Sequence, residues 1–194
     1  KYLKDNWHLV DQNKGWTKDY KLTQALEKVE TLANWNEKES KERTLVAVEA
    51  KFKTLIGRIL FNGSVDRVEQ DADGKFFIVD LKTGRNEGNA EEAEKNKQLS
   101  GYQLAVLLDA FEDEKIRGDV SGSALVFLGT DAKSGTVQEQ PRIDKEEILA
   151  DVKQSAELMA AKEFIATVNK KCDVCNVRNS CPVQPEGRSM LNGN

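Results

Sequence analysis

The 194 residues predict an α/β fold: a central mixed sheet of four or five strands flanked by helices, with a cysteine-rich tail at the C-terminal end. Three observations predict it. Two strand-like runs, 58–70 and 75–82, rich in β-branched and aromatic residues, flank a tight turn. A short apolar run over 122–129 lies between glycines and reads as a strand buried on both faces. Segments with helical spacing stand before, between and after these runs.

Taken in order, residues 1–17 are polar with scattered aromatics (Tyr2, Trp7, Trp16) and no clear period, and His8 is the sole histidine. Over 19–38, Leu22, Ala25, Leu26, Val29, Leu32 and Ala33 recur at helical spacing, with Thr17 or Asp19 as cap. The stretch 44–52 alternates, Val46, Val48, Ala50 and Phe52 on one face, and Leu45, Ala47, Glu49 and Lys51 on the other, as a strand beside the hairpin would. Ala72-Asp73-Gly74 suits a three-residue hairpin loop with its glycine in the left-handed position. After a loop from Thr83, a helix is expected over 90–111 with Leu99, Val106, Leu107 and Phe111 buried. Within it Gln98 and Tyr102 lie four apart and share a face. A polar hairpin-like segment runs on to Gln140 and Pro141. The last helix, 145–169, would pack back across the sheet through Ile148, Leu149, Val152, Ala156, Met159, Ala160 and Ile165, with Met159 as core filling. The chain thus divides into a helical segment (1–43), a core (44–140), a packing helix (141–170) and the tail (171–194).

Composition bounds the function. A formal net charge of −4 argues against tight, autonomous DNA binding, although an acidic catalytic site with a neighbouring domain to grip DNA is compatible with it. No apolar run approaches membrane-spanning length, and no signal-peptide core is present. The chain begins with Lys1, so a fragment of a larger cytoplasmic protein is the simplest reading. Three cysteines, Cys172, Cys175 and Cys181, fall within ten residues. That spacing reads as a zinc or iron–sulfur site in a reducing compartment, not as a secreted disulfide framework.

The chemistry centres on the hairpin. With Asp71 and Lys75 flanking the loop, Asp66 falls opposite Asp80, and facing residues of an antiparallel pair point the same way. Asp80 and Lys82 share that face because side chains alternate. Two carboxylates and a lysine at one spot suit a hard divalent cation, and so metal-assisted phosphodiester hydrolysis. On spacing alone the plainer reading is a solvated hairpin face on which Lys82 and Arg67 cancel the acids.

The ordered set Gly63-x-x-Asp66-Arg67, Asp80-x-Lys82-Thr83-Gly84 and Gln98-x-x-x-Tyr102 resembles the RecB-like branch of the PD-(D/E)xK nucleases, which have a restriction-endonuclease-like core. The resemblance implies that Asp66 and Asp80 bind Mg2+ or Mn2+, with the carbonyl of Leu81 as a further ligand. It implies a catalytic Lys82, supported by Gln98 and Tyr102. Arg67 would pair with an acidic side chain or a phosphate, and Thr83 and Arg85 would contact DNA. Glu49 stands where the pattern often has a Glu. It is either an outer-shell carboxylate or an exposed strand residue paired with Lys51 or Arg58. The upstream histidine of that branch has no counterpart in context at His8.

The tail Cys172-x2-Cys175-x5-Cys181-Pro182 is similar to that of bacterial helicase–nucleases, where it holds a 4Fe–4S cluster whose fourth cysteine lies upstream and is absent from these residues. From 45 to 188 the chain resembles the C-terminal domain of actinobacterial UvrD/Rep-type, AdnAB-like enzymes. The implied function is an exonuclease for double-strand-break repair and recombination. It would act on single-stranded ends delivered by a helicase domain upstream in the same chain, and work with a partner subunit. The alternative is an inactive nuclease-like module that binds DNA or a subunit around a structural metal.

Overall fold

The computed structural model describes residues 1–11, 15–39, 41–84, 90–161 and 166–187. Two helices lead the chain, α1 (Tyr2–Val10) and α2 (Trp16–Glu39). Strands β1 (Thr44–Ile56), β2 (Ile59–Gln70) and β3 (Phe76–Lys82) follow as a meander. Then come α3 (Ala90–Glu94), α4 (Lys97–Leu107), β4 (Val120–Phe127), β5 (Thr136–Pro141) and α5 (Lys145–Ala160). The five strands form one sheet in the order β1-β2-β3-β4-β5. All neighbours are antiparallel except β3 and β4, which run parallel. Parallel strands need a crossover, and α3 and α4 supply it.

The chain separates into two compact units, 1–150 and 151–194. In the first, both sheet faces are covered. On one face Phe76 and Ile78 of β3 pack with Ala105, Val106, Phe111 and Ile116. On the other, Phe77 and Val79 pack with Trp35 of α2 and with Ala124 and Val126 of β4. The central strands are apolar on both sides for this reason.

The hairpin forms as its local chemistry dictates. Asp71 Oδ1 accepts from the backbone N–H groups of Asp73 (3.0 Å) and Lys75 (2.9 Å), closing a loop in which Gly74 has φ +76°. The register is the expected one: Arg67 pairs with Val79, Val68 with Ile78, Glu69 with Phe77 and Gln70 with Phe76.

Four expectations need correction. The helix expected over 90–111 is broken into α3 and α4, because Asn96 caps α4 with a side chain that accepts from Gln98 and Leu99 N–H at 3.0 Å. Phe111 is buried, but in a β-bridge to Phe52. There Lys53 N–H donates to Ala110 C=O (2.8 Å) and Glu112 N–H to Lys51 C=O (3.0 Å), along the outer side of β1. The alternation along β1 is interrupted by a register shift between Leu45 and Ala47 and by Glu49, whose φ is +50°. Val48 is consequently 60% exposed. The last helix stops at Ala160 and buries none of its residues fully. Met159 is 66% exposed and so is not core filling; Ile165 lies outside the described residues. Finally, the unperiodic N-terminal stretch contains α1, with Trp7 buried and His8 exposed.

Candidate active site

β2 and β3 diverge after the Arg67–Val79 pair, and there Asp66 reaches across instead of pairing along the ladder: its Oδ2 accepts from Leu81 N–H at 2.8 Å. Asp80, next along β3, is 3% exposed. Its Oδ2 meets Lys82 Nζ at 2.5 Å as an ion pair. That ion pair is the contact Lys82 gives the buried oxygen. Lys82 Nζ in turn donates to Gln98 Oε1 at 3.0 Å, and Gln98 Nε2 donates to Tyr102 Oη at 2.8 Å. One line of contacts therefore runs from Asp80 through Lys82 and Gln98 to Tyr102, with Asp66 beside its head.

The elements explain the convergence. β3 is central, so its polar end is held where the parallel partner β4 fixes it; Leu128 N–H donates to Lys82 C=O at 2.8 Å. α4 crosses the same face and presents Gln98 and Tyr102 one turn apart. Tyr102 is set from behind by Phe52, edge to face at 6.2 Å between ring centroids. Gly63 makes room for that ring, since a Cβ there would lie 2.7 Å from it.

Electrostatics follow from burial. Burial pushes the Asp80 carboxyl above the ordinary carboxylate range, Lys82 draws it back down, and the neighbouring charge of Asp66 pushes it further up. Burial likewise raises the Tyr102 phenol, against the hydrogen bond from Gln98, and the charges of Asp80 and Asp66 add to the rise.

A small hard cation fits these donors. Mg2+ keeps several waters and takes one or two carboxylates, so two acids and a carbonyl suffice. The buried Asp80 carboxyl beside a second carboxylate is the feature such an ion satisfies. Asp66, Asp80 and the carbonyl of Leu81 would hold it. Among the described residues no three His, Cys, Asp or Glu side chains gather as a ligand cage.

Other candidate residues sit elsewhere. Arg67 points to the opposite face, where Nε donates to Glu69 Oε1 and Nη2 to Asn36 Oδ1, both at 2.6 Å. Glu69, 1% exposed, also accepts from Arg43 Nε at 2.9 Å. Of its two expected partners, an acidic side chain or a phosphate, Arg67 has the acidic one here; Glu69, two apart on the strand and so on the same face, is the partner that sequence reading did not name. Glu49 is exposed and lies between the Val48–Arg67 and Ala50–Val65 pairs, level with Asp66. Thr83 is exposed just beyond Lys82, and Arg85 lies outside the described residues. In the C-terminal unit, Cys172 and Cys181 are partly buried and Cys175 is exposed. The Sγ of Cys172 accepts from Asn169 N–H at 3.3 Å, and the three thiols do not converge on one point. As arranged, they do not fit a cluster.

The model of the PD-(D/E)XK nuclease superfamily matches residues 2–182. The chain belongs to that superfamily. No curated protein sequence matches it. A solved structure titled "Crystal structure of SSO0001" is similar at 16% identity and a TM-score of 0.40, covering 87% of this chain and 77% of that one. A likeness of that size adds nothing to the family match. PD-(D/E)XK proteins are nucleases that generally need a divalent metal, and the mixed five-stranded sheet flanked by helices agrees with their restriction-endonuclease-like fold. Membership makes DNA the expected substrate class of the chain. No helix among the described residues is long and apolar enough to cross a membrane.

Proposed function

We propose that this PD-(D/E)XK domain is a RecB-like, Mg2+- or Mn2+-dependent deoxyribonuclease that hydrolyses phosphodiester bonds of single-stranded DNA ends. The observation that carries the reading is the contact line from Asp80 through Lys82 and Gln98 to Tyr102, with Asp66 at its head. A bound divalent ion supplies charge neutralisation at the phosphate. Asp66 and Asp80 present the carboxylates that hold it, and Leu81 its carbonyl. Lys82, kept in place by Gln98, orients the attacking water and stabilises charge that builds on the phosphate oxygens. Tyr102 fixes the rotamer of Gln98. Thr83 and Arg85 contact DNA phosphate. Arg67 stiffens the strand that carries Asp66. Glu49 is an outer-shell carboxylate level with Asp66.

The motif order and the Cys-x2-Cys-x5-Cys-Pro tail support a wider context. In it the domain is the exonuclease of a cytoplasmic helicase–nuclease for double-strand-break repair and recombination, joined to a UvrD/Rep-type motor and a partner subunit. Cys172, Cys175 and Cys181, which do not converge as arranged, would then have to draw together to serve as three of the four ligands of a 4Fe–4S cluster. Iron and sulfide analysis of protein purified without air tests that part.

The catalytic part is tested by Mn2+-dependent cleavage of a single-stranded oligonucleotide by the wild type, Asp80→Ala and Lys82→Ala. Losing one such charge-stabilising group costs about 10²–10³ in kcat. Equal rates in all three proteins would reduce the domain to a nuclease-like binding module.

A further inference from the structure

Beneath α4 lies a buried polar cluster that the contact line from Asp80 to Tyr102 does not include. Gln103 is fully buried, and Gln140, on β5, is 2% exposed. Gln140 Nε2 lies 3.3, 2.9 and 3.1 Å from the backbone carbonyls of Ala93, Glu94 and Asn96, and shares its hydrogens among them. Its Oε1 accepts from Gln103 Nε2 at 3.1 Å and from Ser123 Oγ at 3.3 Å. Gln103 is itself pinned: Nε2 donates to Ser123 Oγ (2.8 Å) and Pro141 C=O (3.1 Å), while Oε1 accepts from Ile143 N–H (3.2 Å). Every polar atom of both amides is thus engaged, and their orientation is fixed.

An apolar side chain would fill this space without the cost of burying an amide. What the amide adds is direction, because the three carbonyls it gathers belong to the corner between α3 and α4. The same Asn96 whose carbonyl it holds caps α4, its side chain accepting from the N–H groups of Gln98 and Leu99. Gln98 is the residue that holds Lys82.

We infer that Gln140 is a positioning residue: by clamping the α3–α4 corner through Asn96, it sets where Gln98 places the Lys82 amine. The inference rests on the catalytic reading of Lys82. A side chain one shell removed from a reacting group acts through geometry, and small misplacements lower turnover strongly. It should therefore move kcat and leave substrate affinity alone.

The test compares Gln140→Met, Asn96→Ala and Asn96→Asp with the wild type. The readouts are Mn2+-dependent cleavage of a single-stranded oligonucleotide, resolved into kcat and KM, and backbone amide hydrogen exchange at Gln98 and Leu99. Gln140→Met removes the clamp at constant shape. Asn96→Ala keeps the clamped carbonyl but removes the side-chain cap that passes its position on to Gln98; at this half-buried position it reads that downstream link even if the buried substitution does not fold. Each is expected to lower kcat roughly tenfold to a hundredfold with KM unchanged. Exchange at Gln98 and Leu99 should quicken in both, while exchange in β4 stays slow. Asn96→Asp keeps the acceptor that caps α4 and is expected to restore the wild-type rate. Wild-type kcat in a folded Gln140→Met or in Asn96→Ala overturns the inference, as does a change confined to KM. If the wild type itself fails to cleave, the catalytic reading falls. The clamp is then decided by exchange alone, and unchanged protection at Gln98 in Gln140→Met overturns it.

Discussion

Asp80 is the residue at which stability and chemistry oppose each other. Its carboxyl is raised by burial, so the folded protein holds the proton more tightly than the unfolded chain does. The sign follows from linkage: the cost of ionising it is absent below the unfolded carboxylate range and fully present above the raised folded value. Asp80→Asn, in the presence of a chelator, should therefore resist urea better than the wild type at neutral pH. The advantage should fade as pH falls through the acidic range. A variant no more stable at neutral pH would show that the ion pair with Lys82 outweighs burial. Tyr102 gives an optical reading of the same site. Tyr2 (81%) and Tyr20 (55%) are exposed, whereas burial and two nearby carboxylates raise Tyr102. Spectrophotometric titration should show a late-ionising phenol that is lost in Tyr102→Phe. Glu49 holds a left-handed backbone that costs an L-residue roughly 1–2 kcal/mol. Glu49→Gly should accordingly raise the unfolding free energy in urea by about 0.5–1 kcal/mol after glycine's own entropic cost. Glu49→Gln keeps the backbone and tests the charge alone, through the cleavage rate.

At the scale of elements, the hairpin places the acids and the packing behind it places the aromatic. Gly63→Ala would drive a methyl group into the Phe52 ring, which is already held by Phe61, Phe111 and Tyr102. The expected loss is about 1–3 kcal/mol in denaturant unfolding, with a fall in cleavage because Tyr102 shifts with the ring. Wild-type stability in that variant would mean that Phe52 has room to turn. The hairpin was readable from sequence because its signals are local: Asp71, the three-residue loop and Gly74 set the register of Asp66 and Asp80 within twenty residues. Gln98 and Tyr102 on one helical face were readable for the same reason. The break before α4 carried a signal in Asn96, a good capping residue, but helical spacing continues across it. Arg67 and Glu69 share a face of β2 by simple alternation, but their burial beside Asn36 and Arg43, the strain at Glu49 and the clamp by Gln140 depend on partners distant in sequence that no local pattern announces.

For the whole molecule, metal binding should appear as stability. An ion that binds only the folded state at about a hundredfold its Kd adds about 2.7 kcal/mol. Mg2+ or Mn2+ should therefore raise the unfolding midpoint of the wild type, and do so far less in Asp66→Asn. A midpoint indifferent to either ion would remove the two carboxylates from consideration as ligands. The acidic balance of −4 means that DNA binding by these residues alone should be weak and should collapse with added salt. Along the outer side of β1, the segment carrying Ala110 and Glu112 already occupies the backbone of Lys51 and Lys53. A neighbouring molecule seeking to extend the sheet from that margin finds its middle taken. Any strand-by-strand self-association in concentrated solution must then begin elsewhere, and β5, at the far border, is the place to look.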